Sequence, residues 1–176
     1  PQITLMAAVA LADTIASFVA DRPAIKWPND ILIDGKKLAG ILTESSCDAK
    51  RIEFVILGIG VNLNYPREWM PETIRDRATS LMEVGGQGVS RENFLRRLIQ
   101  DLDRCYGILG DLGFAAIAPR WEAYFAWRGR RVRVEMVDEI LSGTATGIDG
   151  DGALLLEAED GVVHRVLAGD VIPLGD

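Results

Sequence analysis

Lys26-Trp27-Pro28-Asn29-Asp30-Ile31-Leu32-Ile33-Asp34-Gly35-Lys36-Lys37-Leu38-Ala39-Gly40-Ile41-Leu42-Thr43-Glu44 is the stretch from which the fold can be read. Two short apolar runs, 31–33 and 38–42, flank Asp34-Gly35. Asp-Gly in that place predicts a β-hairpin, because a type I′ turn needs positive φ at both central residues. Polar residues gather just outside the strands: Lys26, Asn29 and Asp30 before them, Lys36 and Lys37 after the turn. Pro28 fixes its own φ and biases Trp27 toward extended backbone, so Asn29 and Asp30 leave a stiff corner. Alternation along the second strand sends Lys36 and Lys37 to opposite faces, with Lys36 expected in solvent. A hairpin with a solvated polar rim has the same pattern, so the pattern alone leaves both a structural and a functional reading open.

Upstream, residues 3–19 are rich in alanine, and Ile3, Met6, Val9, Leu11, Ile15, Phe18 and Val19 spread around the helical wheel. A helix that is apolar nearly all round is a buried one, here expected to lie on a sheet and to end at Asp21-Arg22-Pro23. Residues 24–27 read as a short strand leading into the hairpin. Downstream, 45–50 is expected as a polar loop. The almost continuous apolar run of 51–62 predicts a central strand buried on both faces of a mixed sheet. Gly58 and Gly60 weaken such a strand, so they mark a bulge, a close approach of a ligand, or packing against a helix. Residues 63–89 carry Pro66, Pro71 and Gly85-Gly86 without a period and read as loop, with one helical turn after Thr79-Ser80. From Ser90, a candidate N-cap, Phe94, Leu95, Leu98, Ile99, Leu102, Cys105, Tyr106 and Leu109 keep a 3.6-residue period to about 110–113. Ile117, Trp121, Tyr124 and Phe125 predict a further helix, with Pro119 in its first turn.

After Trp127 the period changes to alternation. Five strand-like runs separated by Asp- and Gly-rich turns predict a small barrel, with a boundary that divides the chain into 1–127 and 128–176. At 176 residues and 48% apolar composition, the chain can bury about 70% of its unfolded surface. Net charge is −7, and residues 127–176 hold 5 basic against 10 acidic residues. A basic footprint for nucleic acid is missing, so direct DNA binding is not expected. Cys47, Cys105 and the single His164 cannot assemble an ordinary zinc site, and two distant cysteines are expected reduced, as in a cytoplasm. No apolar run is long enough to span a bilayer, and no secretory leader is visible. The chain opens on Pro1, directly into a helical pattern, and reads as part of a longer polypeptide.

Three motifs fail on inspection. Gly58-x-Gly60 lacks the third glycine of a dinucleotide loop, since Leu63 stands there. Asp149-x-Asp151 begins like a calcium loop, but Ala153 and Leu154 replace the ligand and glycine it needs, so it is a turn. His164 has no catalytic partner in any motif and is expected to be structural.

Lys-Trp-Pro-Asn-Asp, a short spacer and Lys-Leu-Ala-Gly-Ile-Leu, followed by Gly58-Ile59-Gly60-Val61-Asn62-Leu63-Asn64, closely resemble the signature of biotin protein ligases, along essentially the whole chain. The resemblance implies an α/β (α+β) fold with a mixed sheet packed with helices, an N-terminally incomplete catalytic domain over 1–127, and an SH3-like β-barrel over 128–176. It implies ATP-dependent activation of biotin to biotinyl-5′-adenylate and transfer to a lysine of a biotin carboxyl carrier domain, in the cytoplasm. ATP with Mg²⁺ and biotin would be the substrates. A possible homodimer, no membrane and no direct nucleic acid complete the expected partners.

Residue by residue, the resemblance makes Lys37 the catalytic lysine, bridging the biotin carboxylate and the α-phosphate. Gly40 and Gly58 join it in biotin and adenylate binding. Asn29, Asp30 and Asn62 fall on the nucleotide side, with Asp30 near Mg²⁺ or else a turn carboxylate. Trp27 is assigned to packing. Fixed cations suit such chemistry because charge grows on the α-phosphoryl oxygens. The acidic barrel is expected not to form the main wall of the nucleotide site. The family's Gly-Arg-rich loop upstream of this region is missing from the chain, so little ligase activity is expected from these residues alone. A lipoate or octanoyl transferase-like activity and a non-catalytic module that binds a carrier domain are the alternatives.

Overall fold

The computed structural model describes residues 1–48 and 52–175. Its first helix, α1 (Gln2–Ala16), is buried without interruption over residues 5–12. Alanine favours the helix and lets neighbours approach closely. Apolar side chains at every angle then require a cover on every side. The cover comes from β1 (Ala24–Lys26), β2 (Asp30–Ile33), β3 (Lys36–Cys47) and two later helices. The helix stops at Ala16, five residues before the expected Asp21. Ser17 Oγ donates to Thr14 O at 2.6 Å, and Phe18 swings onto the Phe94 ring, centroids 5.3 Å apart.

Strands β1, β2 and β3 continue into β4 (Ile52–Val61) in sequential order. The hairpin turn forms as expected, with φ of +49° at Asp34 and +74° at Gly35. Among the described residues the strand pairs are all antiparallel, and parallel pairing is confined to two single bridges, Ile25 with Phe125 and Lys37 with Ala78. The Trp27–Pro28 bond is cis. Two expectations need correction. β3 runs on through Ser45 and Ser46 to Cys47, where a loop was expected, while residues 49–51 of that stretch lie outside the described residues. β4 is an edge strand rather than a central one: its residues alternate between half-buried and exposed, and Phe54 and Ile56 are each 54% exposed, beside Leu42 at 64%. An apolar run shows that residues avoid water without telling which face has a cover, so burial on both faces did not follow.

Between β4 and the long helix lie a 3₁₀ turn (Arg67–Trp69), α2 (Glu72–Arg75) and α3 (Leu81–Gly85). Ser80 caps α3 by accepting from Glu83 N. Helix α4 (Arg91–Leu112) begins at Ser90, whose Oγ accepts from Asn93 N at 3.3 Å, and ends at Gly113. Helix α5 (Ala118–Tyr124) carries Pro119 in its first turn, as expected. These helices are fastened to α1 by ions as well as by apolar contact. Asp101 of α4 accepts from Thr14 Oγ1 of α1 at 2.9 Å, while Asp13 of α1 accepts from Arg104 Nη2 of α4 at 3.1 Å and from Arg120 Nη2 at 2.6 Å and Tyr124 Oη at 2.8 Å of α5. Burial and the hydrogen bond to Asp13 push the Tyr124 phenol up to about 12, so it stays a donor. Burial likewise pushes the Cys105 thiol up, which suits an inert core residue. No helix among the described residues is long and apolar enough to cross a membrane.

The C-terminal strands β5 (Arg131–Glu135), β6 (Ile140–Ile148), β7 (Leu154–Glu157), β8 (Val163–Val166) and β9 (Asp170–Pro173) match the five expected runs and form one antiparallel sheet, ordered β8-β7-β6-β5-β9. The turn between β6 and β7 is driven into the first part of the chain. Gly152 O accepts from the buried Trp27 indole N–H at 3.1 Å, and Gly150 O accepts from Gln2 Nε2 at 3.0 Å. Asp149 shapes this turn by accepting from Asp151 N and Ala153 N, and pairs with Arg165. Partial burial works against its charge, but Arg165 and the two amides prevail and hold the carboxyl below the usual range. His164 sits in β8 opposite Leu156.

Two outcomes follow for this junction. Gly152 has φ of +87°, and a Cβ there would lie 2.5 Å from Leu5 Cδ1. Gly152→Ala is therefore expected to lower stability by about 1–3 kcal/mol, measured by urea unfolding. Because the Asp149 pKa is depressed on folding, its contribution is present at neutral pH and lost as pH falls through the folded value. Asp149→Asn should flatten the acid limb of the stability–pH curve.

Candidate active site

The site begins with a slip in the hairpin. Ile31 pairs with Ala39 but Leu32 pairs with Lys37, so Leu38 is an extra residue on β3. Such a bulge breaks the strict alternation of a strand. Lys37 consequently reaches the face of Gly40, three residues on: a Cβ built on Gly40 would meet Lys37 Nζ at 3.2 Å and Asp30 Oδ1 at 3.3 Å. The Lys37 backbone is pinned outside the sheet by Lys37 N donating to Arg77 O at 2.7 Å and Lys37 O accepting from Thr79 N at 2.9 Å. Lys37 Nζ lies 2.7 Å from Asp30 Oδ1, with side-chain exposures of 51% and 16%. Lys36, expected in solvent, is half-buried, and Lys37 is the more open of the two.

Beside this pair the sheet has a floor of bare backbone. Gly40 faces Gly60 and Leu42 faces Gly58 across the β3–β4 pair. The nearest atoms to an added Cβ are Leu42 Cβ and O at 3.7 Å for Gly58 and Gly40 O at 4.0 Å for Gly60. Among the described residues no helix lies within 4 Å of a Cβ added at either glycine, so packing against a helix does not account for them. The open backbone is on the solvent side, where a ligand can reach it.

Two cavities meet here. One, about 990 Å³, is bounded by Lys26, Asp30, Lys37, Asn62, Arg77 and Trp127, with Asp170, Val171, Ile172 and Pro173 of β9 on the other side. The other, an open groove of about 450 Å³, runs over Asn29, Ile41, Leu42, Gly58 and Ile59. Asp30, Lys37, Gly40 and Gly60 line both. The one ammonium–carboxylate pair on this floor therefore stands at the boundary of two spaces. A separate hollow of about 460 Å³ near Arg22 and Tyr124 is remote from it, and its polar groups Arg120 and Tyr124 are committed to Asp13.

Of the residues singled out from the sequence, Lys37, Asp30, Gly40, Gly58 and Asn62 are brought together. Asn62 lines the larger cavity and donates to Thr79 O at 3.0 Å, which joins β4 to the segment behind Lys37. Asn29 is used differently: its Nδ2 donates to Ile41 O at 2.8 Å and its O accepts from Ile41 N at 2.9 Å, bracing the corner after Pro28. It borders the groove rather than the larger cavity. Trp27 is buried, as assigned.

Sequence reasoning missed Lys26, Arg77 and Trp127 as lining residues. The C-terminal unit, expected not to form the main wall of the nucleotide site, contributes one side of the larger cavity through β9. Overall charge carries no positional information, and the Asp170 carboxylate on that side is matched by Lys26 Nζ at 2.5 Å. Lys26 stands in the same motif as Asp30 and could have been read as a third polar group of the site; nothing in the sequence marks Arg77. Among the described residues no three His, Cys, Asp or Glu side chains are grouped as a metal site.

Residues 3–62 match the Biotin/lipoate A/B protein ligase family, and residues 129–172 match the Biotin protein ligase C terminal domain. The chain is 37% identical over 163 residues to the biotin–[acetyl-CoA-carboxylase] ligase of Paracoccus denitrificans, covering 91% of this chain and 68% of that protein. It is also 37% identical to the bifunctional ligase/repressor BirA of Bacillus subtilis, covering 97% of this chain and 52% of that protein. The chain thus spans about half the length of the first of the curated relatives it matches. Among solved structures, the apo biotin protein ligase of Aquifex aeolicus superposes with a TM-score of 0.86 at 25% identity, over 99% of this chain and 75% of that one.

The two glycine positions separate a requirement of the protein from one of its ligand. Gly40→Ala must displace Lys37 or Asp30, and the acetylation rate of Lys37, followed by peptide mass spectrometry, is expected to change. Gly58→Ala meets nothing closer than 3.7 Å. Its stability should stay within about ±0.5 kcal/mol of the parent in thermal or urea unfolding.

Proposed function

This chain belongs to the biotin protein ligase family, and we propose that its two adjoining spaces take the two substrates of biotin activation, ATP in the larger cavity and biotin along the glycine floor. The observation that carries this reading is the position of Lys37, which lines both spaces. Joining a carboxylate to the α-phosphate of ATP brings two anions together. The carboxylate oxygen forms a bond to the α-phosphorus, the bond to the bridging oxygen of the β-phosphate breaks, and pyrophosphate leaves. An ammonium at the boundary lowers the repulsion of approach and stabilises the charge that grows on the α-phosphoryl oxygens. Its compact charge serves carboxylate and phosphate alike. Asp30 orients that ammonium by the 2.7 Å contact.

Gly40 leaves room for the pair, and Gly58 and Gly60 let biotin lie on the backbone. Asn62, with Ala78 and Arg77 beside it, frames the end of the cavity suited to the nucleoside. Mg²⁺ belongs with ATP as a substrate complex. With Asp30 already paired and no metal cluster among the described residues, the phosphates would supply most of its ligands, as is usual for this ion. In the second step the amine of an acceptor lysine on a biotin carboxyl carrier domain attacks the acyl carbon, forming the amide and releasing AMP. A cytoplasmic setting suits a reaction that consumes ATP.

The direct experiment uses the native polypeptide with biotin, ATP, Mg²⁺ and a carrier domain. Mass spectrometry should find one biotinyl group on the acceptor lysine. A carrier that is bound but never modified, with no adenylate formed, would replace this reading with that of a binding module. Lipoate in place of biotin tests the sibling activity.

Lys37→Met keeps the aliphatic stem and removes the charge. Stability is expected within about ±0.5 kcal/mol of the parent. Pyrophosphate release should fall by about 10²-fold or more, the scale of losing one preorganised oxyanion donor. Lys36→Met lies outside both cavities and should retain activity. Rate and KM are to be measured separately, because a change in KM alone would mean uniform binding rather than transition-state stabilisation.

A further inference from the structure

Besides Lys37 and Arg77 the larger cavity is lined by Lys26, a cation already paired across two parts of the chain. Lys26 ends β1 and stands opposite Asp30 in the β1–β2 register, so the sheet fixes where it starts. Its Nζ lies 2.5 Å from Asp170 Oδ1, at the first residue of β9, and 5.8 Å from the Trp127 ring centroid. Lys26 and Asp170 both line the cavity. The lysine side chain is 21% exposed and the carboxylate 62%. Asp170 is therefore the partner with solvent to move into, while Lys26 is held by sheet and indole.

A carboxylate on the wall of a polyphosphate cavity is unfavourable unless a cation accompanies it. Here the cation is the one a phosphate would also use. Resting on the reading that this cavity takes ATP, we infer that Asp170 is an internal counter-ion of Lys26 that the phosphates of ATP displace, so that the edge of the C-terminal sheet tunes nucleotide affinity. The pair neutralises and orients Lys26 before the nucleotide arrives, and the phosphate takes over the ammonium when the carboxylate turns outward. An exposed ion pair contributes little, so the exchange is easy and its effect on affinity is small.

The test compares binding of ATP and of adenosine by the native polypeptide, with Mg²⁺ present, using isothermal titration. Asp170→Asn is expected to tighten ATP by about two- to five-fold, the range corresponding to one exposed ion pair, and to leave adenosine unchanged. Lys26→Met should weaken ATP and also leave adenosine unchanged. Thermal unfolding of each variant reports any loss of fold. If Asp170 only secures the C-terminal sheet, Asp170→Asn shifts ATP and adenosine together and lowers the melting temperature, and the inference falls. It falls equally if Asp170→Asn leaves ATP unchanged or weakens it, the latter being the result for a carboxylate that helps hold Mg²⁺. Failure of the parent protein to bind ATP at all would instead overturn the assignment of the cavity, and the counter-ion role with it.

Discussion

Helix α1 has to be covered on all sides, because its apolar residues leave no face for water, and this constraint arranges the other elements around it. Leu5, Met6, Val9, Leu11 and Ile15 are all at or near zero exposure, and each fully buried side chain of this size contributes about 1.5–3 kcal/mol. The first sheet covers one side. Helices α4 and α5 cover another and add ion pairs to Asp13 from Arg104 and Arg120, which fix the angle that apolar contact alone leaves loose. The turn carrying Gly152 closes the N-terminal end against Leu5. The C-terminal sheet is thereby seated on the helix and on the buried indole of Trp27, and its last strand arrives opposite the hairpin.

The chemistry of the site depends on that seating. Trp27 is tied to Gly152, and the two residues that follow Pro28, Asn29 and the first residue of β2, inherit its position. Asn29 uses its side chain to hold the corner, and Asp30 is left to meet Lys37. A bulge at Leu38 then turns Lys37 onto the glycine floor. Remove the bulge and the ammonium would point to the other side of the sheet; add a side chain at Gly40 and the pair would have to shift. The resulting arrangement is Lys37 between two spaces, with Lys26 and Arg77 elsewhere on the larger one.

The elements with a strong local signal were legible in advance: the apolar helix, the Asp34-Gly35 turn, the Ser90 cap, the Pro119 start of α5 and the five short C-terminal strands. Each is set by interactions within a few residues, namely a φ requirement, a side-chain cap or a period. The errors have a common origin. The β4 burial, the length of β3 and the half-burial of Lys36 all depend on which surfaces meet which. Strand register and cover are non-local, and neither apolarity nor net charge records them.

By itself, the sequence determined which residues form the hairpin, which groups cluster at its mouth, and the resemblance that made Lys37 the residue to watch. It also marked Gly58 and Gly60 as a bulge, a ligand's approach or a helix contact, without deciding among them. Only the tertiary structure decided that Lys37 reaches the glycine floor, since one unpaired residue in a ladder reverses the facing of its neighbours. Only the tertiary structure brought Asp170 to Lys26, because two residues far apart in the chain meet through the docking of whole sheets. Local chemistry is written residue by residue, whereas the shape of a cavity is a property of the surfaces that close it.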